Sequence, residues 1–180
     1  MRIIVQKFGG TSVRTKEMRA AAIDKIIAAR DSGLLPVVVV SAMGRKGEPY
    51  ATDTLIQFAR TEADGELHAR ENDLLLSCGE VISAVVFAAT LEQRGVPARA
   101  LTGAQAGIYT NDRFGSAAYI EADPSRIHEL LAEGVVPVVA GFQGVTRGGD
   151  VTTLGRGGSD TSAAILGLAL RAEAVEIYTD

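Results

Sequence analysis

Three short, largely apolar runs, Ile3–Phe8, Pro36–Val40 and Val135–Ala140, constrain this chain more than any other feature. Apolar residues on successive positions require cover on both faces of a strand, the situation of a central strand in a parallel sheet. Each run passes at once into a polar or glycine-rich tail: Lys7-Phe8-Gly9-Gly10-Thr11-Ser12, Ser41-Ala42-Met43-Gly44 and Gly141-Phe142-Gln143-Gly144. Helical periods lie between the runs; Met18, Ala22, Ile26 and Ala29 recur at helical spacing up to a stop at Gly33. This alternation predicts an α/β protein, a three-layer sandwich with a largely parallel central sheet. Ligands of such sheets bind beyond the carboxyl ends of the strands, so the tails should converge on one edge.

The rest of the chain fits between these runs. Arg45–Asp53 reads as an exposed loop, Thr54–Glu62 as a helix and Asp64–Asn72 as a solvated charged stretch. Leu74–Arg94 reads as a helix with a break or bend at Gly79, which leaves Glu80 just past the break. Pro97–Leu101 is a predicted strand, Thr102–Asn111 a loop, Ala117–Glu121 a short strand and Pro124–Glu133 a helix. Arg147-Gly148-Gly149-Asp150 reads as a hairpin turn, and Ala174–Thr179 as a last strand with Asp180 at its end.

Composition narrows the function. With 180 residues and 47% hydrophobic content the chain suits one domain with a sizeable core. A net charge of −4 and no basic stripe argue against nucleic acid as a partner. The N-terminal apolar run is too short for a signal peptide and no window reads as a membrane span, so no membrane partner and a cytoplasmic location are expected. The single cysteine, Cys78, excludes an internal disulfide and reads as a small buried hydrophobe. His68 and His128 read as surface residues, no Cys/His cluster has metal-ligand spacing, and no nucleophile elbow is present.

The chemistry concentrates in Thr152–Leu170, where a β-branched run meets Gly155-Arg156-Gly157-Gly158 and then Ser159-Asp160-Thr161-Ser162 opens a helix. Ser159 reads as the N-cap, and the open N–H groups of the first turn, with the helix dipole, form an anion site. Arg156 adds a planar fork for carboxylate or phosphate. Asp160 would repel an anion there unless a metal, a lysine or a proton manages its charge. The glycines match neither the Rossmann nor the P-loop spacing. Lys7, at the end of a buried strand beside Gly9-Gly10, can share a phosphate with backbone amides. A lysine, an arginine, glycine-rich anion sites and two or three carboxylates suit phosphoryl transfer.

Lys7–Val13, Ser41–Gly44, Cys78-Gly79-Glu80, Gly141–Gly144, Gly155–Ala163 and the final Glu176–Asp180 together resemble aspartate kinase, of the amino-acid-kinase family, in that family's order and over essentially the whole chain. Met43–Tyr50 resembles most the Bacillus-type, diaminopimelate-linked isozymes. The resemblance implies the amino-acid-kinase fold over residues 1–180 and transfer of the ATP γ-phosphate to the side-chain carboxylate of L-aspartate, on the way to lysine, diaminopimelate, threonine and methionine. By position it implies Lys7 and Asp160 as the catalytic pair, with Asp160 set against Lys7. Glu80 would meet the substrate ammonium and Arg156 its α-carboxylate, with Gly157, Gly158, Ser159 and Thr52 also on the aspartate side. Lys7, Phe8, Gly9, Gly10, Ser41, Thr179 and Asp180 would serve ATP. Mg²⁺ would arrive with ATP, held by phosphate oxygens and water rather than by a protein metal site.

The family pattern continues past a Thr-Asp pair into further nucleotide loops and regulatory ACT domains. The expectation is therefore an N-terminal portion cut short at its C-terminus, with most of the aspartate site, part of the ATP site and impaired turnover, and a homo-oligomer for the full-length enzyme. Two other readings stay open: a sibling acetylglutamate, glutamate 5- or uridylate kinase, and a non-catalytic amino-acid-binding or assembly module.

Overall fold

The computed structural model describes residues 1–179. Its main sheet has the order β3 (Ala98–Leu101), β6 (Val136–Ala140), β2 (Leu35–Val40), β1 (Ile3–Phe8) and β9 (Ala174–Tyr178), with every neighbouring pair parallel. The three apolar runs are its adjacent inner strands, as expected of strands covered on both faces.

Strand alternation divides the core into two layers. Phe8, Val38, Val40 and Val138 pack against Ile23 and Ile26 of α2 (Lys16–Asp31) and Phe87 and Leu91 of α4 (Ala69–Gln93). Ile3, Val5, Val37 and Val39 face the other way, onto Ile127 and Leu130 of α5 (Ser125–Ala132) and Ala163 and Leu166 of α6 (Gly158–Ala169). The period of two puts Lys7 on the α6 face with Val5, and Phe8 on the α4 face. Phe8 stacks there on Tyr178 and Phe87, with ring centroids 4.9 and 5.6 Å away.

A second sheet, with the order β5 (Tyr119–Ala122), β4 (Ile108–Thr110), β7 (Gln143–Val145) and β8 (Val151–Thr153), was not anticipated as a sheet. The hairpin turn over Arg147–Asp150 does join β7 to β8, with Thr146 N–H donating to Asp150 C=O at 2.9 Å. Strand β4 lies inside the stretch expected to be a loop; at three residues it is too short to show a period. Its start is fixed by Gly107, where a Cβ would fall on the Asp123 carbonyl.

Helix α4 also departs from expectation, because it runs unbroken through Gly79. A Cβ on that glycine would lie 2.5 Å from Thr52 Cγ2 and 3.0 Å from Ala42 Cβ. Gly79 is there for close approach: it lets the tail of β2 and the start of α3 (Thr52–Glu62) lie against the helix. The helix starts at Ala69, inside the stretch expected to be solvated. By length and composition α4 is long and apolar enough to cross a membrane, contrary to the sequence reading. It nevertheless packs on the sheet and buries Asp73, Ser77 and Glu80, the behaviour of a core helix. Cys78 is half-buried rather than buried, its thiol turned to the Leu74 carbonyl. His68 is exposed and His128 half-buried.

Candidate active site

Two clefts open at the carboxyl edge of the main sheet, and Lys7 and Ala42 line both. The first, of about 340 Å³, is lined by Lys7, Ser41, Glu80, Phe142 and the segment Gly155–Asp160. The second, of about 270 Å³, is lined by Lys7, Gly9, Gly10, Thr11, Gly44, Arg45 and Thr179.

The first cleft has buried Lys7, Glu80 and Ser159 in its wall. Glu80 is 6% exposed; its Oε1 accepts from Ala42 N–H at 3.2 Å, and its Oε2 has no hydrogen-bond partner. Desolvation pushes its carboxyl up from the usual 4.5 to about 7, against the opposing pull of its backbone hydrogen bonds. A buried carboxylate with one oxygen unused calls for a cation or donor from a ligand. Across the cleft, Gly155 and Gly157 take positive φ values of 78° and 71° and hold exposed Arg156 between them. The cap of α6 is Gly157, in the left-handed region, and no side chain caps the helix. Ser159 is therefore not the N-cap expected from the sequence. It lies inside the first turn, packed so closely on Gly141 that a Cβ there would come within 2.9 Å of its Oγ. Contrary to expectation, the first-turn N–H groups are largely used: Gly158 N–H donates to Gly155 C=O at 3.1 Å and Asp160 N–H to Gly157 C=O at 3.0 Å, so what the helix start offers an anion is chiefly its positive end.

Asp160 Oδ1 lies 2.7 Å from Lys7 Nζ; the approach is off the line of a hydrogen bond, and the contact is an ion pair. Lys7 is 6% exposed, held on the α6 face by strand alternation. The carboxylate that seemed out of place beside an anion site thus has a cation to manage its charge.

The second cleft has three glycines among its eight lining residues. Gly9 N–H is tied to Tyr178 C=O at 3.1 Å, and at Gly10 a Cβ would stand 2.5 Å from the Ala42 carbonyl. Gly10 thus lets the tail of β2 lie directly against the tail of β1.

Placed on this geometry, Lys7, Glu80, Arg156, Gly157, Gly158, Ser159 and Asp160 come together in the first cleft, and Lys7, Gly9, Gly10 and Thr179 in the second. Ser41, expected on the ATP side, lines the first cleft. Phe8 reaches neither: its ring is in the core, and its carbonyl accepts from Ser41 N–H at 3.1 Å. Thr52 lines neither cleft and packs against Gly79 behind Glu80. Asp180 lies outside the described residues. Sequence reasoning missed Asp73, fully buried on α4, and the strained Phe142, whose φ of 70° turns it into the first cleft. The signal for Asp73 was the polar stripe Asp73, Ser77, Glu80 on an apolar helix; Phe142 carried none, since its backbone is rare for a non-glycine residue.

Known proteins resemble this chain in sequence and fold. The chain is 56% identical to Aspartokinase 1 of Bacillus subtilis and 47% identical to an aspartokinase of Geobacillus stearothermophilus, each match covering all of this chain and 44% or 43% of the relative. The chain thus spans less than half the length of these curated relatives. Its fold superposes on aspartate kinase from Synechocystis with a TM-score of 0.78 at 44% identity, over 98% of this chain and 28% of that one. It superposes on E. coli aspartokinase III, in complex with aspartate and ADP, with a TM-score of 0.77 at 30% identity, over 99% of this chain and 49% of that one. The profile of the amino acid kinase family covers residues 2–180. With its parallel sheet, glycine-lined strand ends and lysine at the first of them, this chain belongs to the amino acid kinase family.

Proposed function

We propose that the protein is an aspartate kinase, and that this chain supplies its acceptor site and the phosphoryl-binding lysine. The observation that carries the reading is that one buried lysine lines both clefts. The first cleft offers opposite charges to an amino acid: Glu80 to the ammonium and Arg156 to the α-carboxylate. The side-chain carboxylate would then face Lys7, and the γ-phosphate of ATP would enter from the glycine side.

The reaction is an in-line displacement. A carboxylate oxygen of aspartate forms a bond to the γ-phosphorus, the bond to the bridging oxygen breaks, and ADP leaves with that electron pair. The acceptor is already an anion at neutral pH, so no general base is required. Two anions must be brought together, and Lys7 neutralises the charge between them while Asp160 fixes its ammonium. Among the described residues no group of three or more His, Cys, Asp or Glu stands where it could hold a metal. Mg²⁺ would come on the phosphate oxygens of ATP and add charge neutralisation there. We further propose a homo-oligomer and a cytoplasmic location for the whole protein; sedimentation and fractionation would test these.

Glu80 also favours a free amino acid over an N-acylated or nucleotide acceptor, because acylation removes the ammonium that its unused oxygen would meet. Calorimetry of this chain should show L-aspartate binding. Aspartate-dependent ADP release by the whole protein, with no response to acetylglutamate or UMP, would complete the assignment; release driven by either of those instead would overturn it.

A further inference from the structure

Asp73 is fully buried, seven residues and about 10 Å of helix before Glu80 on the same stripe of α4. No part of the proposed reaction uses it, yet it makes four hydrogen bonds. Gly115 N–H donates to Oδ1 and Oδ2 at 3.0 and 2.9 Å, Thr153 N–H to Oδ2 at 2.9 Å, and Thr153 Oγ1–H to Oδ1 at 3.0 Å. Thr153 ends β8, three residues before Arg156. Gly115 belongs to the segment behind the glycine loop, where a Cβ on Gly155 would touch Ser116 Oγ at 3.5 Å. Ala117 N–H closes the same junction by donating to Thr153 C=O at 2.8 Å.

Arg156 sits between two left-handed glycines, in a turn closed by Gly158 N–H on the Gly155 carbonyl at 3.1 Å, and this bond does not fix where the turn stands. Its root must be fixed from outside. Leu154 N–H on the Phe142 carbonyl, at 2.8 Å, and the pairing of Thr153 with Gln143 in β7 anchor it to the second sheet, Ala117 N–H to the segment behind it, and Asp73 to α4. The same helix carries Glu80. A single rigid element therefore holds one half of the acceptor pocket directly and the root of the other half through Asp73.

We propose that Asp73 is a positioning residue that sets the separation between Glu80 and Arg156, and with it the selection of a ligand bearing both an ammonium and an α-carboxylate. This rests on the aspartate reading of the first cleft. A carboxylate serving stability alone would, when lost, weaken all ligands of the cleft alike. A spacer penalises only a ligand that engages both ends, so L-aspartate should suffer and succinate, which has no ammonium, should not.

The test measures binding of L-aspartate and of succinate by calorimetry, with amide hydrogen exchange, for this chain and for Asp73→Asn, Thr153→Val and Thr153→Ser. In Asp73→Asn one acceptor oxygen becomes a donor facing a backbone N–H. Aspartate affinity should then fall about tenfold and succinate affinity less than about twofold, while amides 154–158 exchange faster. Thr153→Val should show the same pattern more weakly, and Thr153→Ser, which keeps the hydroxyl, should match the unsubstituted chain. Equal loss for both ligands, or an unchanged preference with only a lower melting temperature, overturns the proposal. Should Asp73→Asn fail to fold, Thr153→Val decides by the same criteria. An unsubstituted chain that does not bind aspartate removes the aspartate reading instead, and unchanged exchange at 154–158 then separately removes the clamp.

Discussion

The two clefts that share Lys7 are lined differently. On the acceptor side, Glu80 comes from the middle of α4, held by a hydrogen bond from Ala42, Ser159 from the first turn of α6, packed on Gly141, and Arg156 from a glycine loop, exposed. On the phosphate side Gly9, Gly10 and Gly44 offer only main chain, beside Lys7, Thr11 and Ala42, with Arg45 and Thr179 exposed at the margin. Side chains buried at fixed spacing discriminate among small ligands, since an unmatched buried group is costly. Backbone amides bind any phosphate of suitable shape, and leave the choice of nucleotide to other contacts.

The comparison breaks most completely at the shared residue. Lys7→Met in the whole protein should lower aspartate-dependent ADP release by about 10³-fold; activity within tenfold of the unsubstituted protein would remove Lys7 from the chemistry. Asp160→Ala should come close to this while sparing the fold, because its side chain is 46% exposed. Retention of the circular-dichroism melting curve checks the second half of that expectation.

Glu80→Gln separates the two sides. Aspartate affinity should fall about a hundredfold, as a charged hydrogen bond is lost, with ATP affinity unchanged in equilibrium binding. The same substitution has an opposite effect on stability. The folded carboxyl is raised from 4.5 to about 7, so the folded protein holds a proton that the unfolded chain has released. Stability is therefore undiminished below about pH 4.5 and declines as pH rises to about 7, by about 3 kcal/mol in all. Denaturant titrations at pH 5 and pH 8 should show that decline in the unsubstituted chain and much less of it in Glu80→Gln. Ligand binding runs the other way: aspartate, which needs the carboxylate, should bind more tightly as pH climbs through 7.

On the phosphate side the effects should be smaller and graded by space. Gly10→Ala pushes a methyl within 2.5 Å of a backbone carbonyl, whereas a Cβ at Gly9 meets its nearest neighbour at 3.4 Å. Nucleotide affinity in the whole protein should drop about tenfold for the first and hardly change for the second. Aspartate affinity should hold in both; the reverse order would mean that the wall is not built from the main chain of Gly10.

What the sequence revealed follows the same division. The inner strands announced themselves through runs such as Pro36–Val40, and strand tails rich in glycine pointed to the functional edge. Lys7 and Asp160 were each legible as an unsolved charge in its own setting, and the resemblance to aspartate kinase made them a pair. Residues whose role depends on tertiary approach were not legible. Gly79 looks like a helix break in one dimension and is a contact point in three; Ser159 has the chemistry of a cap, but Gly157 takes the cap position with a left-handed backbone. Asp73 fell beside a charged stretch, and only the fold brings Gly115 and Thr153 to it. The second sheet stayed hidden because β4, β7 and β8 have three residues each, too few for alternation to register.

Strand alternation in β1 also limits how this chain can change. Val5 and Lys7 share one face and Phe8 the other, within a strand paired on both sides in fixed register. Adding or removing a residue between Val5 and Phe8 would exchange the faces, sending the ammonium into the aromatic stack and a phenyl ring toward the clefts. Lengthening the chain before Ile3 or within the exposed Arg45–Gly47 bend carries no such penalty. The first strand should therefore accept substitutions but no insertions or deletions, and a library of single-codon insertions would map that boundary residue by residue.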